Sequence, residues 1–61
     1  MKAALLIRLA IRIANLAANT AEAGELCRVA ARDYDLPTVR YAQLLLEVAR
    51  IRGHFSEANA A

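Results

Sequence analysis

The stretch DLPTVRYAQLLLEVARIRG, residues 35–53, decides the fold of this 61-residue chain. Pro37 can stand in the first turn of a helix, where the backbone needs no N–H, and it biases the residue before it away from helical angles. Asp35 or Thr38 can cap the free amides of the helix that follows. The stretch therefore predicts that one helix ends and another begins near Pro37.

The helix that follows has the most regular pattern in the chain and is predicted to cover residues 37–52. Its apolar side chains recur at helical spacing and form one seam: Tyr41, Leu44, Val48, Ile51 and Phe55. The opposite face is polar: Arg40, Gln43, Glu47, Arg50 and His54. Gly53 is a typical helix stop in left-handed geometry, which leaves one short further turn over residues 55–59.

Upstream of this segment, a second helix is predicted over residues 21–34. Thr20 is a suitable N-cap, and the charge of Glu22 suits the start of a helix. The predicted inner face consists of Ala23, Leu26, Cys27, Ala30 and Tyr34. An alternative stays open, because apolar residues at alternating spacings of three and four also allow one unbroken helix over residues 3–34.

The first segment, residues 3–18, is predicted to be a helix that is apolar on most sides. Its polar residues form a single stripe: Arg8, Arg12 and Asn15. Such a helix must be covered on most of its surface, and two short helices cover only part of it. We therefore expect a homodimer or a larger oligomer, with an interface on Leu5, Leu6, Leu9, Ile13 and Leu16.

Composition limits the fold and the class of protein. Hydrophobic residues make up 59% of the chain, with 15 Ala and 9 Leu, so a single all-α domain over residues 1–61 is expected, with three helices in antiparallel hairpins. The net charge of +2 is far from the dense basic patch of a nucleic-acid binder. The single cysteine excludes an internal disulfide, which favours a cytoplasmic location. Arg8 and Arg12 interrupt the apolar N-terminal run, so no membrane span is expected.

An internal repeat links the first and third segments. Sliding the chain on itself by 35 residues places apolar residues on apolar ones and polar residues on polar ones. The third segment reads L-x-x-x-A-x-x-x-G-x-F-x-x-A, carried by Leu45, Ala49, Gly53, Phe55 and Ala58. With these residues the chain resembles a tetratricopeptide-repeat (TPR) array of stacked helical hairpins. The resemblance is partial, since Ala18 and Thr20 stand where the family has a glycine and an aromatic residue.

The resemblance implies a binding function, because the first helix of each TPR hairpin lines a groove for a partner. Carried over by position, the partner-binding residues are Arg8, Arg12, Asn15, Arg40, Gln43, Glu47 and Arg50. Arginine binds carboxylates through two parallel hydrogen bonds, so an acidic peptide or protein segment is the expected partner. The simpler interpretation is that these residues are the solvated faces of amphipathic helices.

Nothing in the sequence indicates an enzyme, a cofactor or a metal site. His54 is the only histidine, and Cys27 falls on an apolar face, where a small buried hydrophobe is expected. The expected function is a small protein–protein interaction or assembly module, an adaptor that also self-associates. The alternative is a small dimeric DNA-binding regulator of the helix-turn-helix type, with Thr38, Arg40 and Gln43 facing the DNA groove.

Overall fold

The fold consists of three helices joined by two short turns. The computed structural model describes the backbone of residues 2–60 and the side chains of residues 2–54. The helices are α1 (Ala3–Leu16), α2 (Thr20–Asp33) and α3 (Thr38–Ala60). The described backbone contains no strand, so the predicted all-α class is confirmed. The chain breaks between α1 and α2, and the alternative of one helix over residues 3–34 is not formed.

The turn between α1 and α2 is held by Asn19. This residue is extended, with a φ of −154°, and its Oδ1 accepts a hydrogen bond of 2.8 Å from the Glu22 N–H. Glu22 Oε1 in turn accepts from the Ala18 N–H at 3.4 Å. The Glu22 amide is one of those that the start of a helix leaves free, whereas the Ala18 amide belongs to the turn before the cap. Thr20, predicted as the N-cap, is instead the first helical residue, because the residue before it already occupies the cap position.

The turn after α2 is a Schellman motif built on Asp35. The Asp35 N–H donates to the Arg32 carbonyl at 3.2 Å, and the Leu36 N–H donates to the Ala31 carbonyl at 2.8 Å. Asp35 has a φ of 52°, in the left-handed region that this turn requires and that glycine usually fills. Asp35 therefore ends α2, which differs from the predicted role of capping the helix that follows.

Helix α3 begins at Thr38 and runs unbroken to Ala60. Its first turn is closed by the Tyr41 N–H, which donates to the Pro37 carbonyl at 2.9 Å. The predicted stop at Gly53 is wrong, because no described glycine has a positive φ and the helix passes through that residue. Glycine costs only about 1 kcal/mol in a helix interior, and no proline follows it here to end the helix.

Because α3 continues to Ala60, no turn separates residues 37–52 from residues 55–59, where the sequence predicts the second hairpin. Residues 55–59, predicted as a separate short turn, belong to the α3 backbone, and the side chain of Phe55 lies outside the described residues. The TPR-like interpretation stays a prediction. The structure shows three consecutive helices that pack together.

All three helices contribute to one core, which consists largely of small residues. Its buried members are Leu6, Ala10, Ile13, Ala14, Ala17, Ala23, Cys27, Ala30, Leu44 and Val48. One side-chain bond adds to the packing, because Arg52 Nη1 donates to the Ala17 carbonyl at 2.9 Å and ties α3 to the end of α1. The helices are thus held together by close approach rather than by large interlocking side chains.

We expect Asn19→Ala to lower the free energy of unfolding by about 1 kcal/mol, because the Glu22 amide loses its acceptor. Thr20→Ala is the matched control, and its effect should stay below about 0.5 kcal/mol, since alanine is favourable inside a helix. Urea denaturation followed by circular dichroism measures both variants. A larger loss for Thr20→Ala would contradict the assignment of Asn19 as the cap.

Asp35→Gly should raise the free energy of unfolding by about 0.5–1 kcal/mol, because glycine adopts the left-handed conformation without a steric cost. Asp33→Gly removes the same charge from the last turn of α2 and should lower stability by about 1 kcal/mol. Thermal denaturation of the two variants separates the effect of backbone conformation from that of charge. Equal shifts in melting temperature would show that the charge, and not φ, sets the effect.

Candidate functional site

The predicted partner-binding residues on α3 bond to each other in two pairs. Arg40 Nη1 donates to Gln43 Oε1 at 2.8 Å, and Arg50 Nη2 donates to Glu47 Oε2 at 2.6 Å. The hydrogen bond to Glu47, together with the charge of that carboxylate, raises the pKa of the Arg50 guanidinium. Glu47 therefore offsets the charge of Arg50, whereas Gln43 is neutral and satisfies one N–H group of Arg40 without offsetting its charge.

The predicted residues on α1 differ from one another. The Asn15 amide donates to the Ile11 carbonyl at 2.9 Å, so it serves its own helix. Arg8 and Arg12 are exposed, and no carboxylate of the described side chains lies within 4.0 Å of either guanidinium. Arg40 likewise has no carboxylate partner among the described side chains but is half-buried, so Arg8 and Arg12 are the exposed, adjacent pair of the predicted set that can bind an external anion.

Arg8 and Arg12 line a cleft between α1 and the end of α2. Leu5 and Leu9 contribute apolar side chains, Tyr34 contributes its side chain from α2, and the cleft has a volume of about 220 Å³. The two arginines are one helical turn apart, so their Cβ atoms are separated by about 6 Å. We call this site the Arg–Tyr cleft.

The position of Tyr34 corrects the sequence pattern, which places this residue on the inner face of the second helix. The structure exposes 60% of its surface. Tyr34 is the C-cap of α2, with a φ of −97° and a ψ of 5°, so the helical winding that would turn it inward has ended there. Helical periodicity does not extend beyond the last turn, and the neighbouring helix stop was the one signal of this in the sequence.

The predicted oligomer interface on α1 is divided between the core and the surface. Leu6 and Ile13 are buried, and Leu9 packs half-buried against the core. Leu5 and Leu16 are exposed by 50% and 63%. Leu6 and Ile13 therefore serve the three-helix core itself, because α2 and α3 cover the face of α1 on which they lie.

A second apolar surface of α1, outside the predicted interface, consists of Ile7 and Ile11. Both side chains are exposed, and they lie side by side because they are one turn apart. Successive residues of a helix are about 100° apart, so Ile7 and Ile11 lie on the far side of Arg8 from Leu5, Leu9 and Arg12, and Arg8 borders both surfaces. We call this surface the isoleucine edge.

A larger cavity, the α2–α3 groove, lies between the second and third helices. It has a volume of about 520 Å³, and its lining includes Thr20, Gly24, Cys27, Leu45, Ala49 and Arg52. A Cβ atom added at Gly24 or Gly53 would meet no described neighbour within 4 Å, so the space beside both glycines is open. The groove combines a mostly apolar lining with a guanidinium at one end.

Cys27 lines this groove and is fully buried. Burial raises the pKa of its thiol, so it holds less thiolate at neutral pH than an exposed cysteine does. Its place in the core agrees with the expectation of a small buried hydrophobe. The side chains of residues 2–54 contain no cluster of three or more histidine, cysteine or acidic residues that could hold a metal ion.

Comparisons with known proteins add no family to this description. No protein-family model, curated protein or solved structure matches the chain. None of the helices within residues 2–60 is both long and apolar enough to cross a bilayer. The candidate functional surfaces are therefore the Arg–Tyr cleft, the isoleucine edge and the α2–α3 groove.

Proposed function

We propose that this protein is a small interaction module that binds an acidic segment of a partner protein in the Arg–Tyr cleft. The observation that carries the proposal is the pair of exposed guanidiniums, Arg8 and Arg12, which have no carboxylate within 4.0 Å among the described side chains and lie beside the exposed Tyr34. Carboxylates are the natural ligands of such a pair. The partner-binding residues retained from the predicted set are thus these two arginines.

Unlike Arg8 and Arg12, the two arginines of α2 lie close to carboxylates. Arg28 forms an ion pair with Glu25, and Arg32 Nε lies 3.7 Å from Asp33 Oδ1. The hydrogen bond from Arg28 lowers the pKa of Glu25. Exposed pairs of this kind contribute little to stability, but they offset the positive charge locally. Helix α2 therefore attracts an external carboxylate less than α1 does.

Charge is distributed unevenly along the chain. Residues 2–19 carry three cations and no acidic residue, whereas residues 20–61 carry five cations and six acidic residues, so the two parts have charges of +3 and −1 and sum to +2. The field of α1 raises the association rate of an acidic partner, and added salt weakens this effect.

The cleft also limits the pattern of the partner. Two carboxylates about 6 Å apart, as at residues four apart on a helix or two apart in an extended chain, match the spacing of Arg8 and Arg12. On a helical partner, an apolar side chain three residues after the first carboxylate lies on the same face and can pack against Leu5, Leu9 and the Tyr34 ring. Arginine binds carboxylates in a fixed planar geometry and stacks on aromatic rings, which orients the partner as well as holding it.

The test uses a fluorescent helical peptide with two glutamates four residues apart and a leucine three residues after the first of them, and fluorescence anisotropy measures its binding. The double variant Arg8→Gln and Arg12→Gln should bind about tenfold more weakly, because the charge-assisted contacts are lost. The double variant Arg28→Gln and Arg32→Gln is the matched control. It removes two arginines at the same spacing and should change the affinity by less than about twofold, since it alters only screened long-range charge.

Equal weakening by the two double variants would contradict the proposal, because net charge alone would then explain the binding. Tighter binding of a DNA duplex, with a steep dependence on salt, would favour the alternative of a DNA-binding regulator. Preferential binding to anionic vesicles would replace the protein partner with a lipid surface.

Self-association belongs to the same proposal, but on a different surface from the one that the sequence predicts. Leu6 and Ile13 are buried in the core, whereas Ile7 and Ile11 of the isoleucine edge are exposed and do not line the cleft. A stable dimer buries about 800 Å² on each partner, and two isoleucines provide only part of that area. We therefore expect a weak dimer with a dissociation constant in the micromolar range or above.

The double variant Ile7→Glu and Ile11→Glu should abolish this dimer and keep the fold, because both side chains are exposed and glutamate is a good helix former. The control is Val39→Glu with Leu46→Glu, two exposed apolar residues of α3. Sedimentation equilibrium over a range of protein concentrations gives the mass of each variant. The proposed interface would be contradicted if the wild-type protein stayed monomeric at all concentrations, or if only the α3 control lost the dimer.

A further inference from the structure

The α2–α3 groove is lined by residues that take no part in the function proposed above. We propose that this groove binds a medium-chain acyl carboxylate, with the carboxylate at Arg52 and Thr20 and the hydrocarbon chain extending towards Cys27. The support comes from a half-buried guanidinium, an apolar cavity of matching length and walls whose backbone groups are already bonded.

Arg52 supplies the cation for this ligand. Its side chain is half-buried, Nη1 donates to the Ala17 carbonyl at 2.9 Å, and no carboxylate among residues 2–54 lies within 4.0 Å of it. The bond to Ala17 fixes the guanidinium at one end of the groove, and its remaining N–H groups can donate to a ligand. A half-buried guanidinium is less screened by water than an exposed one, so it interacts more strongly with an anion.

The start of α2 strengthens the same end of the groove. Thr20 lines the groove, and the Asn19 side chain caps the Glu22 amide, which leaves the first amides of the helix as donors. The positive end of the helix dipole adds to the charge of Arg52. Glu22 does not line the groove, but its carboxylate accepts a hydrogen bond from the Ala18 N–H of the peptide group whose carbonyl holds Arg52, so it offsets part of the positive charge there.

The rest of the groove suits a hydrocarbon chain. Gly24, Cys27, Val48 and Ala49 line it, so its surface is apolar and few large side chains protrude into it. From Thr20 to Cys27 the helix rises about 10 Å, which is on the order of eight carbons of an extended acyl chain. The volume of about 520 Å³ lies within the range of small-molecule sites.

The walls of the groove argue against an extended peptide as the occupant. Both are α-helices, and beyond the free amides at the start of α2 their backbone N–H and C=O groups are bonded within each helix and offer no partners to a second main chain. A peptide would therefore leave its own polar backbone groups unpaired in an apolar groove. An acyl carboxylate has a single polar end, which matches the single cation of the groove.

The experiment titrates sodium octanoate into the isotope-labelled protein and follows amide chemical shifts by nuclear magnetic resonance. Saturable shifts are expected at Gly24, Ala49 and Gly53. Octanol, the neutral ligand of equal chain length, should bind about tenfold more weakly, because it lacks the charge that pairs with Arg52. Affinity should rise about fourfold per methylene from hexanoate to octanoate, since the added groups are buried.

Two pairs of variants test the contacts. Arg52→Gln should weaken octanoate binding about tenfold and leave octanol binding unchanged, whereas Arg50→Gln, at an exposed position of the same helix, should affect neither. Gly24→Leu should fill the groove and abolish binding of both ligands. Gly24→Ala should retain binding, because the added Cβ meets no described atom within 4 Å. Circular dichroism confirms the fold of each variant.

Equal affinities for octanoate and octanol would overturn the role of Arg52, and unchanged binding by Gly24→Leu would overturn the location of the site. The absence of saturable binding would overturn the whole proposal. If Arg52→Gln unfolds, the comparison of the two ligands and the Gly24 pair still decide the result. The Arg8→Gln and Arg12→Gln double variant should bind octanoate like the wild type, so failure here is distinguishable from failure of the proposed function.

Discussion

Close helix packing through alanine is the constraint on which the rest of the structure depends. Half of the buried core residues are alanines, and the larger aliphatic members are Leu6, Ile13, Leu44 and Val48. Alanine lets two helices approach closely, but its burial removes little apolar area from water. The accessible surface of 4458 Å² exceeds the value of about 3,900 Å² that is typical of a protein of 6.6 kDa. Large apolar side chains such as Leu16 and Leu46 consequently stay outside the core.

The same constraint explains where the cavities lie. Between α2 and α3, small residues such as Gly24 and Ala49 line the space without filling it, so a groove persists above the buried Cys27. Between α1 and the end of α2, the Schellman turn releases Tyr34 to the surface, where it borders a cleft instead of closing one. Both cavities therefore follow from how the helices pack and end.

The sequence predicts the fold class and much of the core, because helical spacing is set by the backbone alone. It places Leu44 and Val48 on an inner seam, and both are buried. Helix ends are harder to predict, since the cap depends on which of two neighbours, Asn19 or Thr20, adopts an extended conformation. Tyr34 shows the limit for the candidate site, because its contacts with α1 depend on how two helices are placed and not on the spacing within one.

For five of the seven arginines the difference can nevertheless be read from the residue three positions earlier; Arg32 and Arg40, which follow Val29 and Pro37, do not fit this pattern. Arg28 and Arg50 each follow a glutamate by three residues and are neutralised by it. Arg8, Arg12 and Arg52 follow an apolar residue at the same spacing: Leu5, Leu9 and Ala49, respectively. Residues three apart share a helix face, so each of these guanidiniums lies next to an apolar side chain of its own cavity. A cation beside an apolar surface favours a ligand that is itself both anionic and apolar, which is the common chemistry of the acidic segment and the acyl carboxylate.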